Sequence, residues 1–310
     1  MPKPHVLQMG SYPDWDQAPM DAAFQMHALH AAADKVAFLA AVGPQIRAIA
    51  TNGGAGAGAA VIAACPNLEL ISIYGVGYDA VDVAACKVRG IRVTNTPDVL
   101  SDATAEIAML LMLGAARRAV EGDRIVRSGA WDSWSPAFMV GKQVSGARLG
   151  IVGMGRVGRS MAEKARCFGM EIHYHNRAEL SADQAKGASY HADLDDMLGQ
   201  VDFLSLHCPI TPQTRNLMDT RRLALLPKEA VIVNTARGGL IDEAALLAAI
   251  QSGHIAAAGL DCFAVEPGGN PALAGEERIM MLPHIGSATR KTRDAMGYRA
   301  LDNLDAFFAG

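Results

Sequence analysis

A glycine turn that directly follows a short hydrophobic run is the feature that most constrains the fold of this 310-residue chain. Residues 148–152 have the composition of a buried strand, and Gly153-Met154-Gly155-Arg156-Val157-Gly158 follows at once, before a helix-forming run over 158–168. Glycine at these positions allows a tight turn, close approach of the backbone to a pyrophosphate, and close packing of helix on strand. The pattern predicts a dinucleotide site at the N-terminus of the helix. The alternative is an ordinary glycine-rich turn.

Short β-rich runs alternate with Ala- and Leu-rich stretches along the chain. Candidate strands cover residues 6–9, 48–51, 70–74, 91–94, 148–152, 171–174, 203–206, 231–234 and 257–260. Candidate helices cover residues 102–117, 158–168, 243–252 and 291–308. This alternation predicts an α/β fold with parallel sheets. Because the pattern restarts at the glycine turn, we expect two Rossmann-like, doubly wound parallel-sheet domains with an interdomain cleft.

Two segments between the halves are distinctive. The stretch 103–116 is apolar but shorter than the ~20 residues that span a bilayer, so we expect a buried helix. Residues 121–141 contain two tryptophans and little periodicity. We expect an irregular functional segment or an interface arm there.

Composition excludes several classes of protein. The net charge of -4 argues against a nucleic-acid binder, which needs a basic face. The five cysteines are odd in number and form no C-x-x-C pair, which indicates reduced thiols and a cytoplasmic protein. The N-terminus lacks the apolar core of a signal peptide. We expect no metal ligands and no membrane partner.

The strand after the glycine turn bears on the choice of cofactor. NAD-selective dinucleotide folds usually carry an acidic residue about 20 residues after the glycines, on the ribose hydroxyls. Here His173-Tyr174-His175-Asn176-Arg177 contains no acid. Arg177 can pair with a 2′-phosphate, Asn176 can hydrogen-bond it, and Arg156 can add a second cation. The sequence therefore favours NADP(H). If Arg177 is only a solvated surface charge, NAD(H) still binds.

Three later segments place polar residues after hydrophobic runs. They contribute Arg237, Glu266 and His284. Ligands of doubly wound folds bind beyond the carboxyl ends of the strands. A guanidinium can hold the carboxylate of a 2-keto acid, an imidazole can protonate the developing alkoxide, and a carboxylate can orient that imidazole. Each residue taken alone also has an ordinary structural alternative.

The ordered motifs together resemble the D-isomer-specific 2-hydroxyacid dehydrogenase family over essentially the whole chain. The matching segments are Tyr74-Gly75-Val76-Gly77-Tyr78-Asp79-Ala80-Val81-Asp82, Val93-Thr94-Asn95-Thr96-Pro97, residues 150–158, His207-Cys208-Pro209 with Thr214, residues 234–238, residues 261–267 and Pro283-His284. The lack of an acid before Asn176-Arg177 resembles the glyoxylate/hydroxypyruvate reductase branch.

The resemblance implies roles by position. Arg237 binds the substrate carboxylate and keto oxygen, and His284 is the acid/base paired with Glu266. Substrate-binding residues in the first domain are Asn52, Gly53, Val76 and Gly77. Cofactor-binding residues are Thr104, Gly153, Met154, Gly155, Arg156, Val157, Gly158, Asn176, Arg177, Cys208, Pro209, Thr214, Thr235, Ala236, Asp261, His284 and Gly286. The substrate side chain is expected near Tyr74, Tyr78, Trp134, Phe138 and Met139.

The resemblance also implies an organisation and an activity. Residues 1–99 and 288–310 form a discontinuous substrate-binding domain, and residues 100–287 form the dinucleotide-binding domain. The helix 103–117 and the arm around Trp131 and Trp134 form a homodimer contact, unless the arm only covers its own subunit. The expected activity is NADPH-preferring reduction of small 2-keto acids, glyoxylate or hydroxypyruvate. The alternatives are an NAD-dependent dehydrogenase of D-lactate, D-glycerate or 2-ketogluconate, and a dinucleotide-sensing protein like the corepressors that share the fold.

Overall fold

The computed structural model describes residues 2–310, which divide into two compact units. Among the described residues, the first unit comprises residues 2–100 and Ala288–Gly310, and the second comprises Ser101–Ser287. Each unit contains one parallel β-sheet. The α/β fold class predicted from the strand–helix alternation is confirmed.

The first unit begins with five strands and four helices. They are β1 (His5–Gln8), α1 (Asp14–Ala23), β2 (Gln25–Ala28), α2 (Lys35–Val42), β3 (Ala48–Asn52), α3 (Ala59–Ala64), β4 (Leu70–Tyr74), α4 (Val83–Arg89) and β5 (Arg92–Thr94). The sheet order is β2-β1-β3-β4-β5, and every neighbouring pair is parallel. Strand β4 is buried over its whole length, as the continuous run of apolar residues in a parallel sheet requires.

The second unit has seven strands and eight helices. They are α5 (Ser101–Ala116), α6 (Ala119–Arg127), β6 (Arg148–Val152), α7 (Arg156–Arg166), β7 (Glu171–His175), α8 (Ala182–Ala185), β8 (Ser189–His191), α9 (Leu194–Leu198), β9 (Phe203–Leu206), α10 (Thr220–Leu225), β10 (Ala230–Asn234), α11 (Glu243–Gln251), β11 (Ile255–Leu260), α12 (Pro271–Ala274) and β12 (Ile279–Met281). The sheet order is β12-β11-β10-β9-β6-β7-β8, all parallel. The order reverses between β6 and β9, and ligands of doubly wound sheets bind at such a reversal.

The C-terminal helix α13 (Arg290–Ala309) packs against the sheet of the first unit. Ser72 Oγ on β4 donates to the carbonyl of Ala300 at 3.1 Å, and Tyr74 Oη donates to the carbonyl of Arg293 at 2.8 Å. A Cβ on Gly297 would lie 1.9 Å from Asp16 Oδ1, so glycine is what lets α13 approach α1 so closely.

Helix α5 lies in the core of the second unit, as the apolar run predicts. Ten of its sixteen residues are buried. A Cβ on Gly259 of β11 would lie 2.7 Å from Leu111 Cβ, so helix and sheet are in direct contact. Within residues 2–310, no helix combines the length and the hydrophobicity needed to cross a membrane.

The sequence-based boundaries need correction at three strands and two helices. Strands β2, β8 and β12 were not predicted; each has three or four residues and lies at a sheet edge, so none shows a long apolar run. Helix α6 occupies part of the segment predicted to be irregular. None of its nine residues is buried, so it shows no run of core residues, and Arg127 pairs with Asp123 one turn away. Helix α7 begins at Arg156, inside the glycine turn, rather than at Gly158.

Candidate active site

The three glycines of the turn have distinct surroundings. Gly153 has φ +94°, which disfavours any side chain, and a Cβ there would lie 2.6 Å from the backbone nitrogen of Cys208. A Cβ on Gly158 would lie 2.3 Å from the carbonyl oxygen of Gly153. A Cβ on Gly155, which caps α7, would meet nothing within 4 Å. The turn is therefore tight at its first and third glycines and open at the second, which suits a bound pyrophosphate at the helix N-terminus.

Asn176 holds the glycine turn from the neighbouring strand. Its Oδ1 accepts a hydrogen bond of 2.7 Å from the backbone N–H of Met154, and its own carbonyl accepts from Tyr190 Oη at 3.3 Å. The next residue, Arg177, is exposed, and its side chain makes no hydrogen bond or ion pair within residues 2–310. A cation without a counter-charge thus stands beside the turn.

The loop after β10 carries Arg237. Asn234 closes this loop, because its Oδ1 accepts from the N–H of Ala236 at 3.0 Å and its Nδ2 donates to the carbonyl of Arg237 at 2.8 Å. Gly238 packs on the backbone of Phe263 so tightly that a Cβ would lie 1.8 Å from its carbonyl carbon. The guanidinium of Arg237 is partly exposed and donates from Nη1 to the carbonyl of Ala236 at 2.8 Å.

Thr235, beside Arg237, has a hydroxyl group that needs a partner. The residue is 7% exposed, and its Oγ1 is buried with no hydrogen-bond partner among the described residues. Buried hydroxyls without partners are rare because desolvation is costly. A bound ligand with polar groups would supply that partner, so Thr235 fits the predicted cofactor site.

Asp261 holds the loop that carries His284. Its Oδ1 accepts from the N–H of Ile285 at 2.8 Å, and its Oδ2 accepts from the N–H of Gly286 at 2.7 Å. Burial raises the pKa of this carboxyl, while the two N–H groups act in the opposite direction. Thr104 lies next to Gly286 in this loop: a Cβ on Gly286 would be 3.4 Å from Thr104 Oγ1. The structure thus brings three predicted cofactor residues together.

His284 and Glu266 form a direct pair. His284 Nδ1 lies 2.6 Å from Glu266 Oε2, and the other carboxylate oxygen, Oε1, accepts from the N–H of Phe263 at 2.7 Å. An ionised carboxylate only accepts, so Nδ1 is the protonated nitrogen and Nε2 faces away from Glu266. Burial acts to raise the pKa of Glu266, but the hydrogen bonds from His284 and Phe263 and the charges of His284 and Arg237 together lower it.

The backbone at His284 is unusual. Its φ of +54° lies in the left-handed region, which non-glycine residues seldom adopt. Such conformations persist only where surrounding contacts enforce them, and they cluster at functional sites. Here the carboxylate of Asp261 holds the two following N–H groups, and Glu266 holds the imidazole. Sequence reasoning placed Asp261 beside the cofactor and did not foresee this supporting role.

The loop after β9 contains Cys208, Pro209 and Thr214. Thr214 Oγ1 donates to the carbonyl of Pro209 at 2.8 Å and accepts from the N–H of Thr211 at 2.7 Å, so this hydroxyl stabilises the loop itself. Burial lowers the pKa of His207 to about 4 and raises the pKa of the Cys208 thiol to about 11. Both side chains are therefore neutral near pH 7. The backbone at Cys208 contacts Gly153, which places this loop against the glycine turn.

In the first unit, the predicted substrate residues lie at the ends of β3 and β4. Asn52 Oδ1 accepts from the N–H groups of Gly54 and Ala55, so it shapes its own turn. Asn95 Nδ2 donates to the carbonyl of Val76 at 2.9 Å. Within residues 2–310, the backbone N–H groups of Val76 and Gly77 have no acceptor. Two adjacent free N–H groups can bind a carboxylate.

Tyr74 is not available to line the predicted substrate pocket. It is 5% exposed, and its hydroxyl donates to the carbonyl of Arg293 and lies 3.1 Å from Asp16 Oδ2. Its strand is buried on both faces, so Tyr74 belongs to the core between β4 and α13. Tyr78 and Trp134, expected at the same pocket, are both exposed.

Comparisons with known proteins agree with this geometry. The family model described as "D-isomer specific 2-hydroxyacid dehydrogenase, NAD binding domain" matches residues 109–286. The chain belongs to the D-isomer-specific 2-hydroxyacid dehydrogenase family. It is accordingly an NAD(P)-dependent oxidoreductase that binds a nicotinamide dinucleotide, and the resemblance inferred from the motifs is confirmed.

Similar members of the family include a glycerate dehydrogenase and glyoxylate reductases. The chain is 42% identical over 246 residues to glycerate dehydrogenase of Hyphomicrobium methylovorum, covering 79% of this chain and 76% of that protein. It is 43% identical over 250 residues to glyoxylate reductase of Thermococcus litoralis, covering 79% and 75%. It is similar to the solved NADPH-dependent glyoxylate/hydroxypyruvate reductase of Sinorhizobium meliloti in complex with NADP and malonate, with 32% identity, a TM-score of 0.87, and coverage of 99% and 94%.

Proposed function

We propose that the protein is an NADPH-preferring reductase of small 2-keto acids, with glyoxylate and hydroxypyruvate as substrates and D-2-hydroxy acids as products. The observation that carries this proposal is the pair formed by His284 Nδ1 and Glu266 Oε2 at 2.6 Å, on a loop fixed by Asp261. The pair orients one imidazole nitrogen, Nε2, toward a reacting group while a carboxylate supports its protonated form.

Each residue has a role that its chemistry allows. Arg237 binds the substrate carboxylate and polarises the keto oxygen, since a guanidinium forms paired hydrogen bonds with such groups. In the first unit, the N–H groups of Val76 and Gly77 are suited to bind a carboxylate. His284 Nε2 donates the proton that converts the developing alkoxide to a hydroxyl. A bound reduced nicotinamide supplies the hydride. The acid–base part of the reaction therefore belongs to Glu266 and His284.

The residues of the second unit fit the cofactor. The open position at Gly155 and the N-terminus of α7 would hold the pyrophosphate. Thr235 and Thr104 would lie along the nicotinamide and its ribose. Arg177, an exposed cation without a counter-charge in the described chain, would pair with a 2′-phosphate, and Arg156 would add a second cation. This pairing is the basis for the proposed NADPH preference.

A side-by-side assay tests the proposal. Glyoxylate, hydroxypyruvate, pyruvate and 2-ketogluconate are each reduced with NADPH and with NADH, and kcat/KM is measured for every combination. We expect the highest kcat/KM with glyoxylate or hydroxypyruvate and a lower KM for NADPH than for NADH. A lower KM for NADH would refute the cofactor assignment, and no turnover with any 2-keto acid would refute the reaction.

A second candidate is an NAD-dependent dehydrogenase that oxidises D-glycerate. The 42% identity to a glycerate dehydrogenase favours this candidate. Oxidation of D-glycerate with NAD at a kcat/KM above that of hydroxypyruvate reduction with NADPH would establish it.

Homodimerisation and a cytoplasmic location are further parts of the proposal. Between residues 110 and 140, exposed apolar side chains include Leu110, Val120, Val126, Trp131, Trp134 and Val140, with Trp134 73% exposed. Contiguous exposed apolar patches mark interaction sites, and we propose that these side chains form one. Light scattering should give twice the chain mass of 32.6 kDa, and a monomer would refute the dimer. The described cysteines form no disulfide, as in proteins of the reducing cytoplasm.

A further inference from the structure

A thiol lies beside the His284–Glu266 pair. Cys262 Sγ is 4.0 Å from His284 Nδ1, the nitrogen that also contacts Glu266. One ligand atom from each of these three residues lies within 4.8 Å of the other two. Glu266 is four positions after Cys262 but His284 is 22 positions after it, so only the fold brings the three ligand atoms together. We propose that Cys262, Glu266 and His284 form a binding site for a thiophilic divalent cation, Zn²⁺ or Cd²⁺, whose occupation inhibits the enzyme.

The distances suit a tetrahedral site. Zinc bonds of about 2.3 Å to sulfur and about 2.0–2.1 Å to nitrogen place those two ligands about 3.5 Å apart. The observed separation of 4.0 Å between Cys262 Sγ and His284 Nδ1 is thus within about half an ångström of the separation in a tetrahedral zinc site. The Nδ1–Oε2 contact of 2.6 Å is too short for two ligands of one ion and must widen. The cation therefore takes the place of the proton between imidazole and carboxylate.

The donor set selects the cation. A thiolate, an imidazole and a carboxylate favour Zn²⁺ and Cd²⁺ over Mg²⁺ or Ca²⁺, which prefer oxygen ligands alone. Ionised Cys262 and Glu266 together neutralise a divalent charge. The positive charge of Arg237 acts on Glu266 and opposes the cation, so the site should be weaker than a structural zinc centre. Three protein ligands leave a fourth position for water.

The site has an open side. Cys262 is only 2% exposed, but the side chains of Glu266 and His284 are 32% and 47% exposed. A cation can reach the carboxylate and imidazole from solvent and then bind the thiol beneath them.

Binding has two chemical consequences. The thiol of Cys262 releases its proton to solvent, and the proton of the neutral imidazole moves from Nδ1 to Nε2, so the cation should bind more tightly as pH rises. The hydrogen bond from Nδ1 to Glu266 is replaced by bonds to the cation, which removes the carboxylate support from the imidazole. The inhibitory part of this inference rests on the acid–base role proposed above, whereas the binding part does not.

Binding is tested on the full-length protein with CdCl₂, because a cadmium–thiolate bond has its own ultraviolet charge-transfer absorption. The variants are Cys262→Ala and, in case alanine leaves a damaging cavity, the nearly isosteric Cys262→Ser. Cys167→Ala is the matched control, since Cys167 is the exposed cysteine. We expect the band to saturate with one tightly bound Cd²⁺ in the wild type and in Cys167→Ala, and to be lost in both Cys262 variants. Absence from the wild type, or persistence in folded Cys262 variants, would overturn the site.

Inhibition is tested separately with ZnCl₂ in the reductase assay. The Cys262 variants should keep near wild-type activity without metal. Loss of a metal ligand should raise the Zn²⁺ concentration for half-inhibition by about tenfold or more, given that even supporting residues contribute about 10–100-fold to metal affinity. Inhibition should strengthen with pH in the wild type. If Cd²⁺ binds through Cys262 but Zn²⁺ does not inhibit, the proposed acid–base function fails while the metal site stands.

Discussion

Replacing Glu266 by glutamine tests the imidazole–carboxylate pair with little change in shape. Both oxygens of Glu266 accept hydrogen bonds from N–H donors, Oε1 from Phe263 at 2.7 Å and Oε2 from His284 Nδ1 at 2.6 Å. A glutamine side chain offers one acceptor and one donor, so it can satisfy only one of these two partners. If its NH₂ group faces the imidazole, Nδ1 must become an acceptor and the protonated imidazole is disfavoured.

The magnitude follows from the hydrogen bond that is lost. A hydrogen bond to a charged group contributes about 1.5–3 kcal/mol, which corresponds to about a 10–150-fold change in rate. We therefore expect Glu266→Gln to lower kcat/KM for glyoxylate reduction about 10–150-fold. The Kd for NADPH should not change, because the substituted atoms contact His284 and Phe263 rather than the glycine turn.

The assay follows NADPH consumption over a range of glyoxylate concentrations at saturating NADPH, which gives kcat/KM for glyoxylate, and NADPH binding is measured by fluorescence titration. Glu276→Gln is the matched control, because Glu276 belongs to the same unit and pairs with Arg278 instead. That control should retain wild-type activity. A kcat/KM for Glu266→Gln close to the wild-type value would refute the idea that the carboxylate supports the imidazole.

Three further predictions concern the cofactor site and the fold. Arg177→Ala should raise the KM for NADPH about tenfold with little change for NADH, because an exposed charge pair is partly screened; equal effects on both cofactors would contradict the 2′-phosphate pairing. Gly155→Ala should weaken NADPH binding with only a small fall in the melting temperature, since a Cβ there meets nothing within 4 Å; calorimetry that shows unfolding instead would contradict it. Asp202→Asn should lower the free energy of unfolding in urea by about 1–3 kcal/mol near pH 7, because the carboxylate accepts three hydrogen bonds from Arg148. These hydrogen bonds lower the pKa of Asp202 in the folded protein, so the stabilisation should be present above the ordinary pKa of 3.8 and should be lost as the pH falls through the lower folded pKa.

The sequence predicted the strands that are buried on both faces. Strands β6 and β9 were located to the residue, because a parallel sheet covered by helices requires an unbroken apolar run. The short edge strands β2, β8 and β12 carry no such signal. Helix α6 was also missed, because none of its nine residues is buried and it contains Gly122 and the β-branched Val120, Ile125 and Val126, which have low helix propensity.

For the candidate site, the sequence identified residues through motif position but not the contacts between them. Glu266 and His284 are 18 positions apart, and only the fold shows that they pair. Asp261 forms two hydrogen bonds to the loop after His284, and these depend on where β11 ends. The short distance from Cys262 Sγ to His284 Nδ1 depends on the same loop. Tyr74 was misassigned because motif position does not show that both faces of β4 are covered.

His284→Ala is the most direct test of the proposed mechanism. Positioned general acids contribute about 10²–10⁴-fold to rates, so we expect kcat for glyoxylate reduction to fall by that factor. The Kd for NADPH should stay at the wild-type value, because the imidazole acts on the substrate oxygen in the transition state. A kcat within a few-fold of wild type in a folded His284→Ala protein that binds NADPH normally would contradict the assignment of His284 as the proton donor.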